Sequence, residues 1–236
     1  MGIQRHRLGL ALSAQLLAAV LSVAVAVQLV LPQSVAASDA VKLGRLKYGG
    51  GGDWYSNPTS LPNLAKHLKL HTPVKVEETT EGRVELLDED LFSYPLLYMN
   101  GHGEVRWSQA ERERLADYLE RGGFLWADDN YGMDRSFRRE IAKVFPGSDL
   151  VELPFDHDLF RAYYTLPNGT PKVHEHDGKP PQALGLFHGG RLVVLYTYEA
   201  DIGDGLEDPD VHKDSPEVRE KAMQFAVNVV VYAMTH

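Results

Sequence analysis

The sequence predicts an α/β fold built on a mainly parallel sheet with an antiparallel hairpin at one edge. Apolar segments of strand length alternate with segments of helical periodicity along most of the chain. The strand-type segments at 95–99 and 123–127 are continuously apolar, as in sheets that helices cover on both faces. Gly189 and Gly190 separate two further strand-type segments, and such a pair is typical of a tight hairpin turn.

The first half of the chain carries two strand and helix signals in order. Residues 44–48 form a predicted strand that runs into a tetraglycine segment at 49–52. A helix is predicted next, with Pro62 in its first turn. Its apolar residues at helical spacing are Leu61, Leu64, Ala65 and Leu68. A short strand is predicted at 74–77, and the buried strand at 95–99 follows it.

A capping box begins the next helix. Ser108 and Glu111 have the spacing of this motif, and the helix is predicted to end at Gly122. The buried strand at 123–127 comes next, and a helix is predicted over about 134–144.

The last third of the chain combines an irregular segment with regular elements. A short strand at 150–153 precedes residues 154–181, which have little periodicity and are predicted to form a long irregular insertion. The hairpin strands at 183–188 and 191–198 follow, then an acidic loop at 201–214. A final helix is predicted over about 216–233.

Composition excludes several classes of function. The chain has 236 residues, a formal net charge of −9 and no basic cluster beyond the first seven residues, so it lacks the electrostatic footprint of a nucleic-acid-binding protein. It contains no cysteine, which removes a thiol nucleophile, thiolate metal ligands and iron–sulfur clusters from consideration.

The N-terminal residues 1–37 are predicted to be a signal peptide or an N-terminal membrane anchor. Arg5 and Arg7 precede an apolar segment from 8 to 31, and small residues up to Ala37 have the form of a cleavage site. Both alternatives place the chain from Ser38 onward outside the cytoplasm, so the protein is predicted to be exported. A membrane is predicted to be a partner only through this segment, if it is not cleaved. Residues 38–43 are then a linker, and residues 44–236 form one domain.

The segment around His174 and His176 is the strongest candidate for chemistry. In an extended segment, two histidines separated by one residue point the same way and could bind one cation between them. His102 or a nearby acid would complete a site for a divalent transition metal such as zinc, iron or copper. The alternative interpretation is a solvated polar loop.

Three further side chains are candidates for catalysis. His102 follows the strand at 95–99 between two glycines, which suits a general base, a metal ligand or a simple turn contact. Asp128 and Asp129 follow the strand at 123–127 as candidate bases or orienting groups. Because they are consecutive, their side chains should diverge, and one of them could instead cap the following helix.

Other residues at predicted strand ends are candidate ligand-binding groups, because ligands of open α/β sheets bind at the carboxyl ends of the strands. Gly50 and Gly51 could expose backbone N–H groups to an anion, or could form only a tight turn. The acidic loop, with His212 among its acids, could hold a hard cation such as calcium or could be a solvated, salt-bridged loop. The remaining candidates are Asp53, Trp54, Asn100, Asn130 and Tyr131.

Four motifs together resemble the bacterial family known as domain of unknown function 4159. They are KYGGGGDWY at 47–55, YMNGHG at 98–103, GGFLWADDNYG at 122–132 and HEHDGKPPQ at 174–182. The resemblance runs from about Leu46 to the C-terminus. It implies a flavodoxin-like sandwich of the class I glutamine amidotransferase-like type in an exported or membrane-tethered protein, and it implies no particular reaction.

One departure from that broader fold bears on function. Its catalytic members carry a nucleophilic cysteine on the turn after the strand that corresponds to 123–127, whereas this chain has Asp128 and Asp129 there. Without the thiol, the glutaminase reaction has no nucleophile. Two hypotheses therefore stand: an exported, metal-dependent enzyme of hydrolase type, and a non-catalytic module that binds a small-molecule or cell-envelope ligand.

Overall fold

The computed structural model describes residues 40–77 and 79–236. The predicted signal or anchor at 1–37 lies outside these residues. The described part contains seven strands: β1 Leu43–Leu46, β2 Gly82–Val84, β3 Leu96–Gly101, β4 Phe124–Asp129, β5 Val151–Glu152, β6 Gln182–His188 and β7 Arg191–Tyr198. Its α-helices are α1 Ser60–His71, α2 Gln109–Glu120, α3 Asp134–Ile141, α4 Ile202–Leu206 and α5 Pro216–Thr235. No helix in these residues is long and apolar enough to cross a membrane.

The prediction of an α/β fold with a mainly parallel sheet is confirmed. The strands form one sheet in the order β2-β1-β3-β4-β7-β6-β5, in which the first five are parallel and β6 and β5 are antiparallel additions. In chain order the parallel strands follow the 2-1-3-4-5 arrangement of flavodoxin-like sheets. The carboxyl ends of β1, β3, β4 and β7 therefore meet at one edge, which we call the carboxyl rim.

Two apolar layers cover the sheet. Successive residues of β3 alternate between them: Leu96 and Tyr98 pack into one layer, while Leu97 and Met99 pack into the other. The first layer is completed by α1 and α5, and the second by α2 and α3. Burial on both faces explains why these strands are continuously apolar in sequence.

The turn predictions hold at the hairpin and at α2. β6 and β7 pair antiparallel across Gly189 and Gly190, both of which have positive φ. At α2, the Ser108 side chain accepts from the Glu111 amide, and the Glu111 carboxylate accepts from the Ser108 amide at 2.7 Å. The predictions of the hairpin turn and of the capping box at Ser108 are therefore confirmed.

One strand prediction was wrong, and one strand was not predicted. The strand predicted at 74–77 forms only an isolated bridge between Val76 and Val41. The strand that pairs with β1 at this edge is β2, which lies several residues later and is only three residues long. Its sequence, Gly-Arg-Val, is too short to show a two-residue periodicity.

Candidate functional site

His174, Asp204 and His212 form a compact group in which one ligand atom from each residue lies within 4.8 Å of the others. Nδ1 of His174 is 2.8 Å from Oδ2 of Asp204, and Nε2 of His212 is 3.7 Å from Oδ1 of the same carboxylate. The two imidazole rings meet edge to face with centroids 5.2 Å apart. Two nitrogens and one carboxylate form a common donor set for zinc and for non-haem iron.

Two asparagines hold the carboxylate of Asp204 in place. Nδ2 of Asn57 donates to Oδ1 at 2.6 Å, and Nδ2 of Asn130 donates to the same oxygen at 2.8 Å. Asn57 follows β1 and Asn130 follows β4, so the rim of the sheet fixes a side chain that belongs to α4. Such contacts to a ligating carboxylate orient it before any ion binds.

Further carboxylates surround His174. Its Nε2 lies 3.1 Å from Oδ1 of Asp214, and its Nδ1 lies 3.7 Å from Oδ2 of Asp201. The same Asp201 oxygen contacts Nε2 of His176. Imidazoles and carboxylates therefore alternate along the chain of contacts from His176 through His174 to His212.

Several acidic side chains crowd together at the site. Burial raises the pKa of Asp201 to about 9, with further contributions from repulsion by Asp128 and Asp204. Oδ1 of Asp201 and Oδ2 of Asp214 are buried and lack a hydrogen-bond partner. Water cannot easily replace that partner at Asp201, because the residue is only 1% exposed. A cation among these groups would relieve both the repulsion and the unpaired oxygens.

The backbone is strained around this group. In the described ranges, five residues other than glycine have positive φ, and each of them belongs to the site or directly adjoins it: Asn57, Tyr131, Glu199, Asp201 and Lys213. Asparagine and aspartate tolerate this conformation better than tyrosine does. Strained non-glycine residues cost about 1–3 kcal/mol each and concentrate at functional sites.

The side chains of Asp128 and Asp129 diverge, and each carboxylate accepts hydrogen bonds from backbone amides. Asp128 accepts from the amides of Ile202 and Gly203 at 3.3 and 2.7 Å, so it holds the first turn of α4. Asp129 accepts from the amides of Tyr131 and Met133, each at 3.0 Å, and so shapes the turn into α3. Both are buried, which raises the pKa of Asp128 to about 7 and raises that of Asp129 as well.

His102 lies outside the compact group, at the end of β3. Its Nδ1 is 3.0 Å from Oδ2 of Asp53, and the side chain is 54% exposed. Among the described residues, the group of converging ligand atoms consists of His174, Asp204 and His212, without His102. The structure therefore places the three predicted metal ligands in three different contacts: His174 against Asp204, His176 against Asp201, and His102 against Asp53.

Tyr131 connects the rim to the segment that carries the histidines. Its ring stacks on His176 with centroids 4.6 Å apart and an interplanar angle of 21°. Its hydroxyl is 3.0 Å from Oδ1 of Asp177, while the residue remains 49% exposed. An exposed aromatic face thus lies directly beside the cluster of imidazoles.

Asn100 has a structural partner in Arg45. The buried guanidinium donates to Oδ1 of Asn100 at 2.5 Å and to the backbone oxygen of Asn57 at 2.9 Å. The Asn100 amide donates in turn to the Ser56 hydroxyl at 2.8 Å. These contacts position the loop that carries Asn57, so Asn100 acts on the site through its neighbours.

The tetraglycine segment packs closely against the loop after β3. A Cβ on Gly50 would lie 2.7 Å from the backbone oxygen of Glu104, and its φ is +110°. Gly51 has no atom near the equivalent position and faces open space. Trp54 is half-buried, with Lys47 and Arg83 each 5.9 Å from its ring. Close backbone approach accounts for Gly50, as the tight-turn interpretation requires.

Sequence reasoning found the segments of the site but not their pairing. The H-x-H segment and the acidic loop were separate candidates for a transition metal and for calcium, whereas the structure joins His174 to Asp204 and His212. Asn57 had no signal, because a single asparagine after a strand is common in any loop.

The structure thus describes an α/β protein with a histidine and carboxylate cluster at the carboxyl rim of its sheet. Residues 42–234 match the family described as Domain of unknown function (DUF4159), and the chain belongs to that family. No curated protein matches the chain.

Proposed function

We propose that this protein is a metal-dependent enzyme of hydrolase type whose ion is held by His174, Asp204 and His212. A divalent transition metal bound to two imidazoles and one carboxylate keeps open positions, where it polarises a substrate and lowers the pKa of water. The observation that carries this proposal is the convergence of three ligand atoms within 4.8 Å beside a buried carboxylate oxygen that lacks a partner.

The surrounding residues suit such an ion. Nε2 of His174 contacts Asp214, which would accept its N–H when Nδ1, on the side of Asp204, gives up its hydrogen to bind the ion. Asn57 and Asn130 orient the carboxylate of Asp204. Asp201 is buried against both His174 and His176, and its contacts hold the two rings in place beside the site.

Two features of the sequence support a location outside the cytoplasm. The apolar segment at 8–31 after Arg5 and Arg7 supports export or anchoring, and the absence of cysteine suits a domain that relies on its core.

The 2-1-3-4-5 order of parallel strands supports descent from a class I glutamine amidotransferase-like scaffold. A neutral or cationic small molecule or cell-envelope ligand fits the acidic surroundings of the site.

Metal content decides the proposal. The full chain, purified without chelators and dialysed against zinc, is expected to retain one ion at its site, and a His174→Ala, His212→Ala double variant is expected to lose it. His188→Ala is the matched control, since His188 is the last residue of β6, next to the hairpin turn and away from the rim. Wild-type protein that retains no zinc, iron or copper while remaining folded would overturn the proposal.

One observation favours the alternative of a non-catalytic binding module. The two acids at the position of the missing nucleophile, Asp128 and Asp129, are both used to hold backbone amides. In that case the ion or the exposed face of Tyr131 would serve recognition. Hydrolysis of ester and phosphoester probes by the zinc-loaded protein, lost in the double variant, separates the enzyme from the module.

A further inference from the structure

Asp53 and His102 form a second polar pair at the rim, and the proposed metal site does not use it. One carboxylate makes two contacts with one residue: Oδ1 accepts from the His102 amide, and Oδ2 lies 3.0 Å from Nδ1 of its ring. The ring is fixed at one nitrogen, while the His102 side chain stays 54% exposed. This is the arrangement of a histidine whose second nitrogen remains available.

The tetraglycine loop packs against the loop after β3 and so brings Asp53 next to His102. Its backbone pairs with the loop after β3, since Gly52 donates to the oxygen of Glu104 at 3.0 Å and Asp53 donates to the oxygen of His102 at 3.3 Å. Gly101, at φ +139°, leaves no room for a side chain: a Cβ there would lie 3.0 Å from the backbone oxygen of Asp53. The glycines on both sides therefore permit the close approach that places the Asp53 carboxylate beside Nδ1 of His102.

The contact with Asp53 assigns the proton on the ring. A carboxylate accepts hydrogen bonds, so Nδ1 of His102 carries the hydrogen and Nε2 carries the lone pair. A neutral imidazole in this tautomer accepts a proton at Nε2 and can later return it. The carboxylate also stabilises the imidazolium that forms in between.

Asn130 connects this pair to the proposed metal site. Its Oδ1 accepts from the amide of Gly101 at 3.2 Å, next to His102, and its Nδ2 donates to Asp204 at 2.8 Å. The backbone of Asn130 also donates to the oxygen of Gly101 at 3.3 Å. One asparagine thus fixes the turn that carries His102 relative to a metal ligand.

We propose that His102 transfers protons during hydrolysis at this rim and that Asp53 is the residue that positions it. The role rests on the proposed hydrolytic function. Nε2 of His102 accepts a proton from water as the water oxygen bonds to an ester carbonyl carbon. The same proton then passes to the leaving alkoxide as its bond to carbon breaks, which gives an acid and an alcohol and restores the neutral ring.

The positioning role is tested by the tautomer of His102 in the full-length protein. Nitrogen-15 chemical shifts of the imidazole are expected to show Nδ1–H in the wild type and a shift toward Nε2–H in Asp53→Asn. Asp53→Glu, which keeps the acceptor, should restore the Nδ1–H form at least in part. A wild-type ring that carries its hydrogen on Nε2, or an Asp53→Asn ring with an unchanged tautomer, overturns the role of Asp53.

The proton-transfer role is tested with p-nitrophenyl acetate as the probe for the zinc-loaded protein. His102→Gln is expected to lower kcat/KM by about 10²-fold or more, as loss of a general base does, and Asp53→Asn by at least ~10-fold. Zinc content should be unchanged in both, and His188→Gln should match the wild type. Equal rates in wild type and His102→Gln overturn this role, whereas absence of zinc from the wild type overturns only the metal site.

Discussion

Asn130 donates a hydrogen bond of 2.8 Å to Asp204, and this contact joins the turn after β4 to the helix that follows β7. The two residues are 74 positions apart in the chain. Because Asn57 donates to the same oxygen, the carboxylate is held from two strands of the sheet at once. The position of Asp204 is therefore set by the sheet rather than by its own short helix, and this determines how readily it can bind an ion.

The first prediction concerns this contact. Asn130→Ala should weaken zinc binding about 10–100-fold, the usual cost of losing a group that orients a metal ligand. Competition with a chromophoric zinc chelator measures the change. Asn168→Ala is the control, since Asn168 is exposed and lies outside the site. Equal affinities in the two variants would show that Asn130 does not orient Asp204.

Zinc should also stabilise the folded protein through Asp204. An ion that binds only the folded state at 100 times its dissociation constant adds about 2.7 kcal/mol to the free energy of unfolding. Urea unfolding with and without zinc should show this gain in the wild type and in Asp210→Asn, an exposed acid of the same loop. In Asp204→Asn most of the gain should be lost. A full gain in that variant would remove Asp204 from the ligand set.

The sequence was sufficient for the fold because its strongest patterns are local. β3 and β4 are continuously apolar, the Ser108 capping box marks α2, and a glycine pair marks the hairpin. Each of these signals lies within a few residues of the element that it predicts. β2 was not predicted, because its three residues owe their conformation to pairing with β1 and carry no pattern of their own.

The site was harder to predict because it depends on contacts between distant segments. His174 was identified from its neighbour His176, but the structure pairs it with Asp204, 30 positions later. Which of two nearby histidines meets which acid depends on the path of the irregular segment before β6, and no periodicity determines that path. The roles of Asp128 and Asp129 depend likewise on where α3 and α4 begin.

The third prediction concerns pH. Burial raises the pKa of Asp128 from an ordinary value of 3.8 to about 7. At pH values between these two pKa values, the folded state therefore binds more protons than the unfolded state. The contribution of Asp128 to stability is therefore fully present below about pH 4 and is lost as pH rises to about 7. The loss amounts to about 1.4 kcal/mol for each unit of pKa shift.

Asp128→Asn isolates this contribution, because asparagine has nearly the same shape and does not titrate. Chemical unfolding with a chelator present, at intervals from pH 4 to pH 8, should give a wild-type stability that falls more steeply with pH than that of the variant. The difference between the two curves should become constant above about pH 7. Parallel curves throughout would mean that Asp128 titrates alike in the folded and unfolded states.

The fourth prediction separates close packing from backbone strain in the tetraglycine loop. Gly50 and Gly51 both have positive φ, so Gly50→Ala and Gly51→Ala share a strain of about 1–3 kcal/mol. Only the Cβ on Gly50 meets the backbone of Glu104, at 2.7 Å, which should add roughly 1–3 kcal/mol of overpacking. Urea unfolding should thus give the wild type the highest free energy of unfolding, Gly51→Ala an intermediate one and Gly50→Ala the lowest.

Because the contact with Glu104 also sets the approach of Asp53 to His102, the Gly50 variant alone should disturb the tautomer of that ring. If the two variants are equally stable, the loops do not need this close approach, and the glycines serve only to permit the turn.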